Sequence, residues 1–446
     1  MIVAVHSGPA GLYEKLGGFG QLIGRSAPGR RRGEDHRMSA LREELLAGIR
    51  SHREQFEAAG ERAEELRTLP NDAVATLRAL GLFWLKTPAE LGGTPLSPVE
   101  FSDVIEELAY IDTSTAWAAM IGAGCNGLAG GWLPEAGARR IFGPPGAVET
   151  ALGGPAPGGR RLPVLAGQLA PRGTGAPAAG GYLVHGRWGF SSGIVHADWL
   201  IGAFKADGVG GPGGTGGPGG ADGTGFGRMI VFAIPKAEAE VIDNWHVAGL
   251  QGTGSLDFSL DGAFVPAELT YELGSPAVRG GDLFRLGMPA FVSNEVPPLA
   301  IGLARRAIDD ITELAAHTAR FPGGPTVSER AVFHHELGRA EVRVRAARAV
   351  HREAMAAAFA SAAADAAPTE EQQLAVTTAS VYAVETCADV VSDLFKFGGG
   401  RALALSNPMQ RHLRNVLAAR QHVALSEENY EAAGRYLLES AKAGRS

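Results

Sequence analysis

The 446-residue chain is poor in cysteine, with two residues of this type, Cys125 and Cys387. Two cysteines supply neither a disulfide framework nor the four ligands of a structural zinc site, so we expect a reducing cytoplasm. No uninterrupted apolar run reaches the ~18 residues that a membrane span needs. The 41 basic and 48 acidic side chains leave a mildly negative chain, which argues against nucleic acid or an anionic membrane as the main partner.

Several functional motifs are also incomplete. The opening stretch MIVAVHSGPAGLYEKL has Gly8 and Gly11, but His6 stands where a dinucleotide-binding fingerprint needs its first glycine. In HHELGR, Arg339 occupies the place of the second histidine of a zinc helix, four residues after His335. The sequence therefore predicts no metal site and shows no nicotinamide site.

The hydrophobic pattern divides the remaining chain into three zones. The first zone has a helical stripe and the nearly apolar STAWAAMIGAGCNGLAGGWL, which is typical of a buried helix. The second has short β-rich runs such as RMIVFAIP, and the third has long Ala-rich helical segments that suggest a bundle. The predicted boundaries are 1–37 for a disordered leader with Met38 as a possible start of the globular chain, 38–151 for a helical domain, 152–281 for a β domain with a flexible Gly-rich insertion at 207–227, and 282–446 for a four-helix bundle.

Three stretches carry candidate chemistry. In GRWGFSSGIVHADW, the hydroxyls of Ser191 and Ser192 and the amides around them can serve the polar edge of a planar ligand. In GLQGTGSLDFSLDGAFVP, Gly254 lets the backbone approach a ligand closely. In GGGRALALSNPMQRHLRNVLAARQHVALS, arginines one turn apart are followed by His422. A lone histidine such as this one is by default structural.

Taken together, these stretches resemble the acyl-CoA dehydrogenase superfamily from Ser39 to Leu438. LPNDAVATLRALGLFWLKTPAELGG resembles its N-terminal helical domain, and FKFGGGRALALSNPMQRHLRNV resembles its last-helix signature. The resemblance implies an α+β multidomain fold with an N-terminal helical domain, a small central β-barrel or sandwich domain, and a C-terminal four-helix bundle. It also implies a flavoprotein.

The resemblance favours one branch of that superfamily. Dehydrogenases abstract a proton with a glutamate nine residues past the last arginine of the signature, and Val423 stands there. RNVLAARQHVALSEENY instead resembles the flavin-dependent monooxygenases with this fold, whose members are oxygenase components of two-component (group D) systems. His422 would then be the acid-base group beside a C4a-hydroperoxyflavin, and Ser191 or Ser192 would hold the hydroxyl near flavin N5. An imidazole suits proton transfer near neutral pH.

The resemblance also assigns the remaining site residues. Arg320 falls where relatives carry an arginine for the flavin phosphate, a role that suits the bidentate guanidinium. Cys125, followed by Asn126, stands where aromatic hydroxylases often have a second histidine, which leaves room for heteroatom oxidation. The substrate pocket is predicted from Trp117, Cys125, Asn126 and His422. The predicted flavin contacts are Trp188, Phe190, Ser191, Ser192, Gly193, Thr253, Gly254, Ser255, Arg320, Gly399, Gly400 and Arg414.

We therefore expect an enzyme that uses non-covalent FMNH2 or FADH2 and O2 to hydroxylate an aromatic or polyketide-like small molecule. A separate NAD(P)H:flavin reductase would supply the reduced flavin. The alternatives are an N- or S-oxygenase of the same fold and an acyl-CoA dehydrogenase with a displaced base, for which Glu295 is the candidate. The Ala-rich bundle and the habit of the family predict a homotetramer.

Overall fold

The computed structural model describes residues 31–143, 161–206, 228–319, 321 and 323–443. The chain divides into two compact units, Met1–Glu44 and Leu45–Ser446, and the features below belong to the second, except for the start of the first helix. The first helix begins at Arg31, before the predicted boundary at Met38. Residues 1–30 and the insertion at 207–227 lie outside the described residues, so the predictions about the leader and the insertion stay predictions.

Six helices form the N-terminal layer. The sequence sets their ends: Ser97 and Glu100 make a capping box at the start of the fourth helix, and Asp112 caps the fifth through the Thr115 amide. The fifth helix is apolar on every side, as predicted, and is buried. The helices are α1 (Arg31–Ser51), α2 (Arg53–Leu66), α3 (Asn71–Ala79), α4 (Pro98–Ile111), α5 (Thr113–Trp132) and α6 (Glu135–Phe142).

The central domain is one seven-stranded mixed sheet in the order β5-β6-β2-β1-β3-β4-β7. All neighbouring strands pair antiparallel except β1 and β3, which pair in parallel. Trp188, Phe232 and Phe258 pack together in its core. The strands are β1 (Leu165–Ala178), β2 (Gly181–Trp188), β3 (Trp199–Ala206), β4 (Met229–Pro235), β5 (Glu240–Ile242), β6 (Asp257–Pro266) and β7 (Thr270–Glu272).

Long helices follow the sheet, which confirms the predicted order of helices, strands and helices. Thr369 and Gln372 form a capping box on the longest apolar helix, and Asn407 caps the next one through the Met409 amide. The helices are α7 (Asp282–Arg285), α8 (Gly287–Ser293), α9 (Val296–Ala316), α10 (Ala331–Ala363), α11 (Glu370–Phe395), α12 (Pro408–Ala419) and α13 (Glu428–Ala443).

One described segment, Glu370–Leu403, is long and apolar enough to cross a membrane when judged by length and composition alone. This modifies the expectation from the sequence, which counted only uninterrupted apolar residues. Within the fold, 61% of its most apolar window is buried. A core helix of a bundle has this character, because its apolar faces are covered by neighbouring helices.

Candidate active site

Two loops of the β domain meet beside the buried helix α5. One follows β2, and the other precedes β6. The Ser191 amide donates to the Leu256 carbonyl at 3.1 Å, and the Gly193 amide donates to the Thr253 carbonyl at 2.9 Å. Gly193 and Gly254 have φ values of 77° and 55°, in the left-handed region that favours glycine. The structure thus brings together the two loops that the sequence singled out.

A chain of side-chain hydrogen bonds runs through these loops. The indole Nε1 of Trp117 donates to Ser192 Oγ at 2.9 Å, and Ser192 Oγ lies 2.7 Å from Ser255 Oγ. Ser255 Oγ lies 2.7 Å from Thr253 Oγ1, which donates to the Leu250 carbonyl at 2.8 Å. An indole can only donate and a carbonyl can only accept, so the direction of every bond is fixed. The Ser192 hydroxyl therefore donates its proton to Ser255 Oγ.

Ser191 differs from its neighbour. Its residue surface is 0% exposed, and its hydroxyl has no hydrogen-bond partner within the described part of the chain. A buried hydroxyl normally has a partner, so an unpaired one points to a ligand that completes it. The sequence could not separate the two serines, whereas the structure leaves the Ser191 hydroxyl without a partner among the described residues and pairs that of Ser192.

His422 lies at the edge of this cluster. Its ring meets the Trp117 ring edge to face, with centroids 5.9 Å apart. It caps a short 3-10 turn, where its Nδ1 accepts a hydrogen bond from the Ala424 amide at 3.3 Å. In the neutral ring the proton is therefore on Nε2. Burial lowers the pKa of His422 to about 4, so near neutral pH the residue is a neutral donor through Nε2–H.

Near its middle, at Gly124, α5 faces a buried ion pair. Lys86 Nζ donates to Glu295 Oε1 at 2.8 Å and to the Phe291 carbonyl at 2.7 Å. The ammonium also lies 4.5 Å from the centre of the Phe291 ring. Burial lowers the pKa of Lys86 and raises that of Glu295. Glu295, the candidate base of a dehydrogenase, thus forms an ion pair with a lysine.

The two residues predicted in the substrate pocket beside Trp117 point to different places. Cys125 Sγ lies 3.9 Å from the Gly167 carbonyl, and burial raises the pKa of its thiol. Asn126 donates through Nδ2 to the Phe83 and Gly122 carbonyls at 3.0 and 2.9 Å. Asn126 therefore ties α5 to the Phe83 segment through Nδ2, while its buried Oδ1 has no partner among the described residues, and its place in the substrate pocket stays a prediction.

Two of the predicted flavin contacts, Trp188 and Arg414, have other partners. Trp188 is fully buried, stacks on Phe258 and donates to the Ala203 carbonyl at 2.7 Å, because strand alternation turns it into the sheet core. The Arg414 guanidinium donates to Gln410, to the Ala248 carbonyl and to both carboxylate oxygens of Glu64. Phe190, by contrast, has a φ of 61° and is 71% exposed beside the loop. It remains available to a ligand.

The glycine-rich turn before α12 stands apart from the cluster. Gly399 and Gly400 are exposed, and a Cβ at either position would meet nothing within 4 Å. Arg320 lies outside the described residues, so its predicted phosphate role stays a prediction. Within the described residues, no group of three or more His, Cys, Asp or Glu side chains could hold a metal ion.

Sequence reasoning missed Lys86. The signal was present, since GLFWLKTP sets one lysine in an apolar run, and a lysine is almost never fully buried without a partner. The partner could not be read, because Glu295 is 209 residues away along the chain.

The chain is similar to known proteins over most of its length. Two family models match the chain: acyl-CoA dehydrogenase, N-terminal domain, at residues 39–131, and acyl-CoA dehydrogenase, C-terminal domain, at residues 297–427. The indole-3-acetate monooxygenase of Pseudomonas putida is 25% identical over 393 residues, which are 88% of this chain and 92% of that protein. The flavin-dependent monooxygenase oxygenase subunit HsaA of Mycobacterium tuberculosis is 31% identical over 239 residues, 53% of each chain.

The fold is shared with solved structures as well. XiaF from Streptomyces sp., solved in complex with FADH2 and glycerol, superposes with a TM-score of 0.77 at 24% identity. The match covers 91% of this chain and 98% of that one. At this level of identity the likeness establishes the fold alone.

Proposed function

The chain belongs to the acyl-CoA dehydrogenase family, and we propose that it is the oxygenase component of a two-component system that hydroxylates an aromatic or polyketide-like small molecule. It is an oxidoreductase, a flavin-dependent monooxygenase. The observation that carries the proposal is the unpaired, buried Ser191 hydroxyl between two loops held together by their backbones.

The loops fit a flavin. The Ser191 hydroxyl lacks a partner, and a Cβ at Gly193 would meet nothing within 4 Å, whereas Gly254 packs against Thr68. Ser191, Phe190 and the backbone around Thr253 would hold the ring system. A bound reduced flavin, as FMNH2 or FADH2, supplies the electrons with which O2 is activated. The protein's part is to orient that ring, exclude water and place hydrogen-bond donors.

His422 contributes a donor to this site. Because Nδ1 already accepts the Ala424 amide, Nε2–H is the group left to hydrogen-bond the reacting oxygen or the substrate. A pKa lowered to about 4 makes the ring a poor base at neutral pH. This refines the acid-base role expected from the sequence, because the geometry favours stabilisation of charge by a neutral donor.

A second candidate is oxidation of a nitrogen or sulfur atom. It is favoured by the neutral state of His422, since a heteroatom with a lone pair needs no base to activate it. The acyl-CoA dehydrogenase alternative has less support, because Glu295 is held by Lys86 at 2.8 Å. Bleaching of bound oxidised flavin by an acyl-CoA would favour that alternative.

The proposed partners are a separate NAD(P)H:flavin reductase and further copies of this chain. The name oxygenase subunit, carried by the Mycobacterium tuberculosis relative, supports the reductase. Exposed leucines on the last part of the bundle support a homotetramer, because large exposed apolar side chains mark interaction surfaces. They are Leu403, Leu405, Leu417, Leu437 and Leu438. Light scattering at micromolar concentration should give four times the monomer mass, and a monomer would contradict the prediction.

The experiment that tests the function is a reconstituted assay. The protein is mixed with a purified flavin reductase, NADH, FMN or FAD, and a panel of phenols, indoles, amines and thioethers, and oxygen uptake and products are followed together. Substrate-dependent formation of a hydroxylated product supports the proposal, and an N- or S-oxide favours the second candidate. Oxygen uptake without any oxygenated product, over the whole panel, would contradict both.

A further inference from the structure

Helix α5 has a single partly exposed position. All its residues are buried except Ile121, which lies near the middle of the helix. Partial exposure of an isoleucine in an otherwise buried helix indicates that neighbouring residues cover this face incompletely. Trp117 lies one turn before it, and Gly124 and Cys125 lie one turn after it on the same face. Trp117 and Gly124 are about 10 Å apart along the helix axis.

The two ends of this face meet different groups. Trp117 contacts His422 and Ser192, as described above. At Gly124, an added Cβ would lie 2.4 Å from Glu295 Oε1, so the glycine makes room for the carboxylate. Ile121 thus lies on the helix face between the hydroxyl cluster with His422 on one side and the Lys86–Glu295 pair on the other.

Stability alone does not account for this pair. Lys86 is 1% and Glu295 is 6% exposed, and removing two charges from water costs about as much as their attraction returns. Apolar residues of similar volume commonly give equal or greater stability. Buried ionisable groups beside a cleft are instead typical of functional sites.

Polar groups around the pair also lack partners. Glu295 Oε2 accepts no hydrogen bond from the residues that the structure describes. The hydroxyl of Tyr271 is buried and likewise has no partner among them. Cys125 interacts electrostatically with Lys86, Glu295 and Tyr271, which places all four side chains in one region. A ligand with its own polar group would complete this set.

We propose that the Lys86–Glu295 pair is the recognition end of the substrate pocket, where Glu295 Oε2 accepts a hydrogen bond from an O–H or N–H group of the substrate. The proposal rests on the proposed function and specifies its substrate class: an aromatic or heteroaromatic compound with a hydrogen-bond donor remote from the position that is oxidised. Lys86 holds the carboxylate in place. When the substrate lacks the donor, Glu295 Oε2 is left without that hydrogen bond in a side chain that is only 8% exposed, which disfavours binding.

The test compares ligand pairs that differ only in the donor. Equilibrium binding to the flavin-free protein is measured for indole-3-acetate against N-methylindole-3-acetate, and for resorcinol against its methyl ethers. The wild type should prefer the donor-bearing member by about 10- to 100-fold. The double variant Lys86→Met/Glu295→Leu should lose that preference while its Tm stays within a few degrees, because the charges are removed together. Glu295→Gln, which keeps the shape, should give an intermediate ratio.

A matched control removes an exposed pair. Arg228 and Glu272 form an ion pair with side chains 43% and 47% exposed, and Arg228→Met/Glu272→Leu should leave the preference unchanged. A wild-type preference that persists in both Lys86–Glu295 variants would overturn the assignment of the pair while leaving the proposed function standing. Failure of the wild type to bind any aromatic ligand, together with failure to form product with reduced flavin, would overturn the proposed function itself.

Discussion

The surroundings of Trp117 and of Gly124, two positions on α5, differ in charge. At the Trp117 end, the polar groups are hydroxyls, an indole N–H and an imidazole that burial keeps neutral. At the Gly124 end, a lysine and a glutamate form a buried ion pair. Neutral donors at the first end can stabilise developing charge without a fixed ion competing for it. The proposed oxygen chemistry and the proposed substrate recognition would therefore occupy two separate positions on one helix.

The largest effect is expected when the His422 imidazole, a donor at the Trp117 position, is removed. His422→Ala should keep flavin binding, because the loop contacts lie elsewhere, but should lose product formation by about 10²–10⁴-fold. Oxygen uptake should continue, with hydrogen peroxide in place of product. Product, peroxide and oxygen are measured in the same reaction.

His335→Ala, at an exposed position on α10, is the matched control and should behave as the wild type. If His422 only packs against Trp117, its replacement would lower Tm and leave the ratio of product to oxygen unchanged. That outcome would contradict the account.

Replacement of Ser191 and of Ser192 should affect stability and flavin binding differently. Ser192→Ala breaks the directed chain and leaves the Trp117 indole and Ser255 each short of one bond, so it should cost about 1–3 kcal/mol in the free energy of unfolding. Ser191→Ala removes a hydroxyl without a protein partner and should leave the free energy of unfolding nearly unchanged. It should instead weaken flavin binding or the coupling of oxygen to product by about tenfold.

Chemical denaturation and flavin titration of both serine variants decide the matter. Equal losses of stability in the two would show that the Ser191 hydroxyl has a protein partner after all. A loss of coupling only in Ser192→Ala would reverse the proposed assignment.

The neutral state of His422 gives a prediction about pH. Its pKa is lowered from 6.5 to about 4, so the folded protein stays neutral at this residue in the window where the unfolded chain takes up a proton. Its contribution to stability should therefore fall as pH decreases from about 6.5 towards 4. In the same window the product yield should show no step due to this ring.

Nitrogen-15 spectra of labelled histidine would show His422 as the Nε2–H tautomer at pH 7. A ring that titrates near pH 6.5 would contradict the assignment and restore the role of general base. The variant His422→Ala identifies the signal.

The smallest effect is expected from the glycine-rich insertion. Replacement of residues 207–227 by a short Gly-Ser linker should leave Tm and product yield nearly unchanged, because such polar segments bury little apolar surface. A large loss of folded protein would show that the insertion packs on the domain and contributes to one of the two ends.

The sequence predicted the fold well, because local signals agreed along the chain. The short continuous apolar run of β4 and the uniformly apolar α5 are visible from a few residues each. The loops around Ser191 and Thr253 were also found, since their glycines and hydroxyls stand out. What the sequence could not provide was the direction of side chains, such as that of Trp188 into the sheet core.

Long-range pairing was the other limit. The partner of Lys86 lies in another domain, and Arg414 meets Glu64 across 350 residues. Single-chain periodicity contains no information about such contacts. The distinction between Ser191 and Ser192 likewise depends on a hydrogen-bond chain that spans three segments.

The most direct test of the central claim is the origin of the oxygen in the product. The protein, a separate flavin reductase and an aromatic substrate are incubated under ¹⁸O2, and the product is analysed by mass spectrometry. We expect one ¹⁸O atom in each product molecule. The reduced flavin should be the only electron source that the oxygenase needs. Product that carries oxygen from water, or flavin that is reduced by an acyl-CoA thioester instead, would contradict it.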